Sequence, residues 1–279
     1  MVVVDKLSGL QQALKTWRQS SQRIAFVPTM GNLHAGHLQL VTEARQLAER
    51  VVISIFVNPS QFGVGEDYAS YPRTEQDDID KLKPLGVDLV FMPSVAEMYL
   101  PDAKTTVLVN GISDNYCGAF RPGHFAGVAT VVCKLFNMVQ PDVAVFGLKD
   151  FQQLAVIRTM VKDLNMPVQI VGVDTVREAS GLAMSSRNGY LSDGQKAVAT
   201  SLYQSLLAAK TAVLAGVDYE DVEQQSLLFL QQAGFQPDYF SICRSHDLAK
   251  ATAADNDLVL LVAAKLGSTR LIDNICFTK

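Results

Sequence analysis

Four segments of this 279-residue chain carry side chains whose types and spacing could do chemistry. The first is Pro28-Thr29-Met30-Gly31-Asn32-Leu33-His34-Ala35-Gly36-His37, between an apolar run and a helical pattern. His34 and His37 stand three apart, so at a helix entry they can face one direction. Imidazoles beside a phosphate can donate hydrogen bonds and offset negative charge developing in a transition state. Gly31 and Gly36 let the backbone approach a ligand, and a helix start offers N–H groups and a positive dipole end. The same residues would equally make a turn carrying two surface histidines, and no third ligand suggests a metal pair. The second segment, Val145-Phe146-Gly147-Leu148-Lys149-Asp150-Phe151-Gln152-Gln153, repeats the strand–glycine–helix pattern. Lys149 could reach a phosphate or carboxylate as a point charge, while Asp150 and Gln153 also have capping-box spacing. In the third, Ala183-Met184-Ser185-Ser186-Arg187-Asn188-Gly189, hydroxyls, backbone N–H groups and one Arg would make an anion clamp or a solvated turn. The fourth, Phe56-Val57-Asn58-Pro59-Ser60-Gln61-Phe62-Gly63, offers the amides of Asn58 and Gln61, which could orient a hydroxy acid. The loop after it, Gly63 to Tyr71, reads as a lid.

The elements that must position these groups alternate through the first 175 residues. Ile24–Val27 reads as a strand, a helix follows from His37, and Val51–Val57 reads as a strand buried on both faces. Thr74 caps a helix to about Lys83, followed by strand-like Val87–Met92 and Thr105–Val109. Phe125–Val139 and Phe151–Asp163 read as helices, Val143–Phe146 and Val168–Val173 as strands. This alternation predicts a Rossmann-like, doubly wound parallel sheet with helices on both faces. Beyond Val176, helical Asp193–Leu214 and Glu220–Gln232 precede strand-like Tyr239–Cys243, Asp257–Ala264 and Thr269–Ile272. Those predict a smaller α+β domain, giving expected domains of 1–175 and 176–279. Three chemical segments then follow parallel strands at one rim of the sheet, where such folds bind ligands. Two His, one Lys and one Arg around it suit a polyanion such as a nucleoside triphosphate with Mg²⁺.

Composition narrows the function classes. With 24 Lys and Arg against 28 Asp and Glu, the net charge is −4, and no basic block suggests nucleic-acid binding. The longest apolar stretches span seven residues, too short for a bilayer, and the amino terminus lacks a signal-peptide layout. Cys117, Cys133, Cys243 and Cys276 form no CxxC or zinc spacing, so free thiols in a reducing cytosol are expected.

His34-Ala35-Gly36-His37 resembles the HIGH motif of class I adenylate-forming enzymes and nucleotidylyltransferases, and Met184-Ser185-Ser186-Arg187 resembles their KMSKS-type loop. The ordered set PTMGNLHAGH, FVNPSQF, YPRT, RPGHFAGVATVV, FGLKDFQQ, MSSRN and LGSTRLIDN is similar to the pantothenate synthetase (pantoate–β-alanine ligase) family, from about Pro28 to Asn274. That resemblance implies ATP-dependent, AMP-forming condensation of pantoate with β-alanine through pantoyl adenylate. It also implies ATP on Met30, Gly31, His34, His37, Gly147, Leu148, Lys149, Asp150, Val176, Met184, Ser185, Ser186 and Arg187. Gln61 and Gln153 would bind pantoate, Gln61 would also meet β-alanine, and His37 would be the proton donor. Catalysis would rest on His37, His34, Lys149 and Arg187, with Mg²⁺ as cofactor, no dedicated protein metal site, a homodimer, and a cytoplasmic location. A nucleotidylyltransferase of the same superfamily and a non-catalytic ATP-binding protein remain as alternatives; a class I aminoacyl-tRNA synthetase is disfavoured by the acidic, short chain.

Overall fold

The structure, a computed structural model, describes residues 1–279 and divides into two compact units. Unit 1 comprises Met1–Leu148 and Val156–Asp174; unit 2 comprises Lys149–Ala155 and Thr175–Lys279. In chain order the strands are β1 (Val2–Val4), β2 (Ile24–Thr29), β3 (Arg50–Ile55), β4 (Leu89–Phe91), β5 (Val143–Gly147) and β6 (Gln169–Val173), then β7 (Gln236–Arg244), β8 (Asp257–Leu266) and β9 (Thr269–Thr278). The helices are α1 (Leu7–Gln19), α2 (Ala35–Leu47), α3 (Glu75–Leu82), α4 (Val95–Met98), α5 (Cys117–Phe120), α6 (His124–Val139), α7 (Phe151–Asp163), α8 (Asp193–Ala199), α9 (Ser201–Leu214) and α10 (Tyr219–Gln232).

Unit 1 is built on a parallel six-stranded sheet in the order β1-β4-β3-β2-β5-β6. Its central strands are mostly apolar and buried, Ile24–Val27 in β2 and Val51–Ile53 in β3, because both faces are covered. Ala25, Val27, Val51 and Ile53 pack on Val41 and Ala44 of α2. On the other face Phe26 meets Phe136 of α6 edge-to-face, and Phe136 meets Phe146 the same way. Chain order reverses at β2: β3 lies on one side and β5 on the other. The crevice at the carboxyl ends of β2 and β5 is therefore the topological switch point where such sheets take ligands.

Unit 2 carries an antiparallel sheet, β7-β8-β9. Leu258, Leu260, Val262 and Ala264, alternate residues of β8, share a buried cluster with Leu202, Leu206 and Val213 of α9 and Val222 and Leu230 of α10.

Several boundaries differ from expectation, each for a local reason. Thr105–Val109 is not a strand: Val107 N donates to Thr130 Oγ1 of α6 at 2.9 Å, satisfying the backbone without a ladder. Asp193–Leu214 is two helices, broken at Thr200, whose carbonyl accepts from Tyr203 N and Gln204 N to start α9. Thr74 flanks α3 without capping it; its hydroxyl donates to the Asp78 carboxylate instead. The amino-terminal β1 and α1 had no counterpart in the periodicity argument, and β9 runs six residues beyond Ile272 to Thr278.

Candidate active site

The turn after β2 holds the two histidines. Gly31 and Asn32 both adopt left-handed backbone, at φ of 80° and 50°. The strained pair turns successive N–H groups inward, onto a carboxylate. Asn32 N donates to Asp78 Oδ2 at 2.8 Å and Leu33 N to Asp78 Oδ1 at 2.7 Å. Asp78 lies in α3 and is fully buried. Lys81, one turn later, donates from Nζ to the Leu33 carbonyl at 2.8 Å, so one helix grips both polar edges of the turn. A Cβ on Gly31 would sit 3.0 Å from Asp78 Oδ2 and from Ile55 Cγ2, which leaves glycine the fitting residue.

The grip aims His34 and His37. His34 is the N-cap of α2 and accepts from Gly36 N at Nδ1 at 3.2 Å; His37 Nδ1 faces His34 N at 3.4 Å, completing a reciprocal capping box. The rings lie 4.1 Å apart at 37°. A backbone N–H only donates, so both Nδ1 atoms accept. In each neutral ring the proton therefore sits on Nε2, on the far side from the backbone. Both histidines become hydrogen-bond donors through Nε2 at the positive end of α2. Helix α2 starts at Ala35, two residues before the expected His37, because the cap is His34 itself.

The turn after β3 presents Gln61. Asn58 is buried and its two amide protons go to Gln61 Oε1 at 3.1 Å and to the Gly127 carbonyl at 3.2 Å. Its own oxygen accepts from Ser60 Oγ at 2.9 Å and from the Tyr99 hydroxyl at 2.8 Å. Burial pushes the Tyr99 phenol above its usual range against a lowering Ser60 bond, so it stays a neutral donor. With its oxygen held, Gln61 turns Nε2 to Met30 Sδ at 3.1 Å. A thioether is a weak acceptor, readily exchanged for a ligand oxygen. Gly127 permits this arrangement: a side chain there would strike the Ser60 carbonyl. Gly147, the last residue of β5, and Leu148 after it, both in unit 1, lie at the same rim.

In unit 2, the segment Lys149–Ala155 and the loop Met184–Arg187 are each tied to the carboxyl-terminal strand. Asn274 of β9 donates from Nδ2 to the Lys149 carbonyl at 2.9 Å. Its neighbour Asp273 takes Arg177 bidentately, at 2.6 and 2.9 Å. Arg177 also donates to the Gly181 carbonyl at 3.1 Å and lies 3.6 Å over the Tyr203 ring. Arg177 and Ala183 form a bridge, and Met184 N donates to the Val176 carbonyl at 3.0 Å, closing a hairpin whose far arm runs into the loop. Ser185 then caps the turn Ser186–Tyr190 by accepting from Arg187 N at 3.2 Å. Asn188 donates to Glu178 and to the Ala183 carbonyl, binding the turn to the hairpin's base. Gln153 is half-buried in the first turn of α7.

A family model described as pantoate-beta-alanine ligase matches residues 2–276. The chain belongs to the pantoate–β-alanine ligase family. It is similar to a pantothenate synthetase of Shewanella halifaxensis, 56% identical over 98% of each chain, and to one of Alteromonas mediterranea, 54% identical over 100% of each. Among solved structures it is similar to the ligase of Thermus thermophilus (TM-score 0.94, 45% identity, 99% of both chains). It is also similar to that of Francisella tularensis (TM-score 0.84, 32% identity, 99% of this chain and 97% of the other), which was crystallised with β-γ ATP and β-alanine. Membership of the ligase family makes this chain an ATP-dependent ligase, and no helix is long and apolar enough to cross a membrane.

Within that family frame, Asp78 and Lys81, which hold the turn that carries the histidines, are the residues that sequence reasoning missed. Asp78 stands among Glu75 and Asp77 in the first turn of α3, where acids complement the helix dipole anyway, so nothing in its spacing marked it as a clamp. Asp273 and Asn274 were legible only as pieces of a motif order, and Arg177 lies outside every motif the sequence offered.

Proposed function

We propose that the chain condenses pantoate with β-alanine, with ATP cleaved to AMP and pyrophosphate. A pantoate carboxylate oxygen attacks the α-phosphorus and the bond to pyrophosphate breaks, giving pantoyl adenylate. The β-alanine amine then attacks the acyl carbon, the acyl–phosphate bond breaks, AMP leaves, and the nitrogen loses a proton. The observation that carries the reading is the His34–His37 pair, both rings donating through Nε2 at the start of α2, at the sheet's switch point. Donors fixed before the reaction stabilise charge as it develops on the phosphoryl oxygens and leaving pyrophosphate, with no protein nucleophile required.

In this reading His37 is the proton donor and His34, Lys149 and Arg187 offset phosphate charge. Met30, Gly31, Gly147, Leu148, Asp150, Val176, Met184, Ser185 and Ser186 complete the nucleotide contacts. Gln61 and Gln153 orient pantoate; Asn58, whose amide protons are used inside the protein, acts through Gln61. Residues 1–175 form the ATP- and pantoate-binding domain and 176–279 the domain carrying the Met184–Arg187 loop. Mg²⁺ needs only one or two carboxylates beside phosphate oxygens, so in this reading the ion is borne by the nucleotide. When bound, the ion would supply charge neutralisation on the phosphates. A cytosolic homodimer follows from the resemblance.

The test is release of AMP and pyrophosphate with pantoate and β-alanine omitted in turn. AMP that forms only with both, in step with an amide product, supports the ligase. Adenylyl transfer to another acceptor, or ATP bound but never cleaved, overturns it.

A further inference from the structure

Two guanidiniums hold the loop from Phe62 to Tyr71: Arg73 donates to the Tyr68 and Tyr71 carbonyls, and Arg121 binds Glu66, the contact that leads back to Gln61. The loop's tip is unsupported: Val64 is fully exposed and Gly65, at φ 83°, has no neighbour that a Cβ would meet. The inner part is held by rings, Phe62 against Tyr68 at 5.4 Å and against Tyr71 at 5.9 Å. Beyond the tip Glu66 receives Arg121 bidentately, at 2.7 and 2.6 Å. The same guanidinium approaches His124 Nε2 at 2.9 Å, and His124 Nδ1 lies 2.8 Å from the Gln61 carbonyl oxygen.

The roles along this chain of bonds are set by chemistry. A guanidinium can only donate, so His124 Nε2 accepts; a carbonyl can only accept, so Nδ1 carries the proton and donates. His124 is buried, at 9% exposure, and the Arg121 and Glu66 side chains are 16% and 25% exposed. Burial pushes the Glu66 carboxyl up, but the Arg121 hydrogen bond and charge outweigh it and hold the carboxyl below its ordinary value. Losing Glu66 would leave Arg121 without its carboxylate and free it to leave His124 Nε2. The ring could then change tautomer or rotate, and the Gln61 carbonyl would lose the imidazole donor at 2.8 Å together with the longer Arg121 Nη2 contact at 3.5 Å.

We propose that Glu66, Arg121 and His124 form a latch that couples the position of the Phe62–Tyr71 loop to the placement of Gln61, so that His124 and Arg121 are positioning residues for the substrate acid. The proposal rests on the reading of Gln61 as a pantoate ligand, and its tests separate the two. The first measurement is independent of activity: ¹⁵N shifts of the imidazoles in the labelled full chain. A neutral His124 protonated at Nδ1 is expected, and protonation at Nε2 alone overturns the latch.

The second is steady-state kinetics of His124→Phe, which keeps the ring volume, and His124→Asn, which keeps a donor near the Nδ1 position. His124→Phe should raise KM for pantoate about 10-fold or more while KM for ATP stays within about 3-fold, and His124→Asn should restore most of the loss. An unchanged pantoate KM, or equal rises for both substrates, overturns the proposal. Glu66→Gln, which removes the charge with little change of shape, should move pantoate KM in the same direction and speed protease nicking between Gly63 and Tyr71. Nicking at the wild-type rate overturns the loop half of the latch. If the wild type makes no pantothenate, the Gln61 reading fails, while tautomer and nicking still report on the latch.

Discussion

His37 and His34 are aimed by their own helix: each Nδ1 is engaged with a backbone N–H, and each Nε2 proton is thereby placed. Replacing His37 with Ala deletes a donor made before the reaction begins, and kcat should fall about 10²–10⁴-fold in a pyrophosphate-release assay. A variant of near wild-type rate would remove the role assigned to it. Asp78 acts one step behind. Asp78→Asn leaves one carbonyl oxygen where two oxygens received Asn32 N and Leu33 N. One buried donor then loses its acceptor, at a cost of about 1–3 kcal/mol in denaturant unfolding. The relaxed turn should also raise KM for ATP more than KM for β-alanine.

Between elements, the site depends on close approach. Helix α6 lies on the Pro59–Gln61 turn through Gly127, and a methyl there has no room beside the Ser60 carbonyl. Gly127→Ala should therefore cost about 1–3 kcal/mol of stability and weaken pantoate binding, read by equilibrium unfolding and pantoate KM together. In unit 2 the hairpin beginning at Val176 is held to β9 by Arg177 and the nearly inaccessible Asp273 carboxylate. Arg177→Met would strand that charge, and a loss of about 3–5 kcal/mol is expected by denaturant titration. Loss of under about 0.5 kcal/mol would show the pair to be dispensable.

Across the whole molecule, acid should act through carboxylates held below their ordinary values. Glu66 is such a group, lowered from 4.5 by Arg121 against the opposing effect of burial; Asp247 is lowered likewise by Arg244 and the Ala249 N–H, again against burial. A carboxyl whose folded value is depressed contributes stability that is present above its unfolded value and lost as pH falls through the folded one. Unfolding midpoints should thus hold above pH 4.5 and drop below it. Glu66→Gln should flatten part of that drop, and an unchanged acid limb would show that Glu66 carries none of it. Glu223 runs the other way: burial raises it above 4.5, so its ionised form opposes folding at neutral pH and ceases to do so in acid.

The residue types, their order and the alternation of strand and helix were enough to determine the parallel sheet and the rim at the carboxyl ends of β2, β3 and β5, and to single out the His34–His37, Gln61, Lys149 and Arg187 segments as candidates. Those are local properties: hydrophobic period, two histidines three residues apart, and loops that follow strands. The sequence could not show that Asp78 clamps Gly31–Leu33 from 45 residues away, that Asp273 and Asn274 hold the Val176 hairpin and Lys149 from β9, or that Glu66 reaches Gln61 through Arg121 and His124. Each of these joins a buried polar group to a partner distant in the chain. Only tertiary packing brings such groups within 3 Å and excludes the water that would otherwise satisfy them.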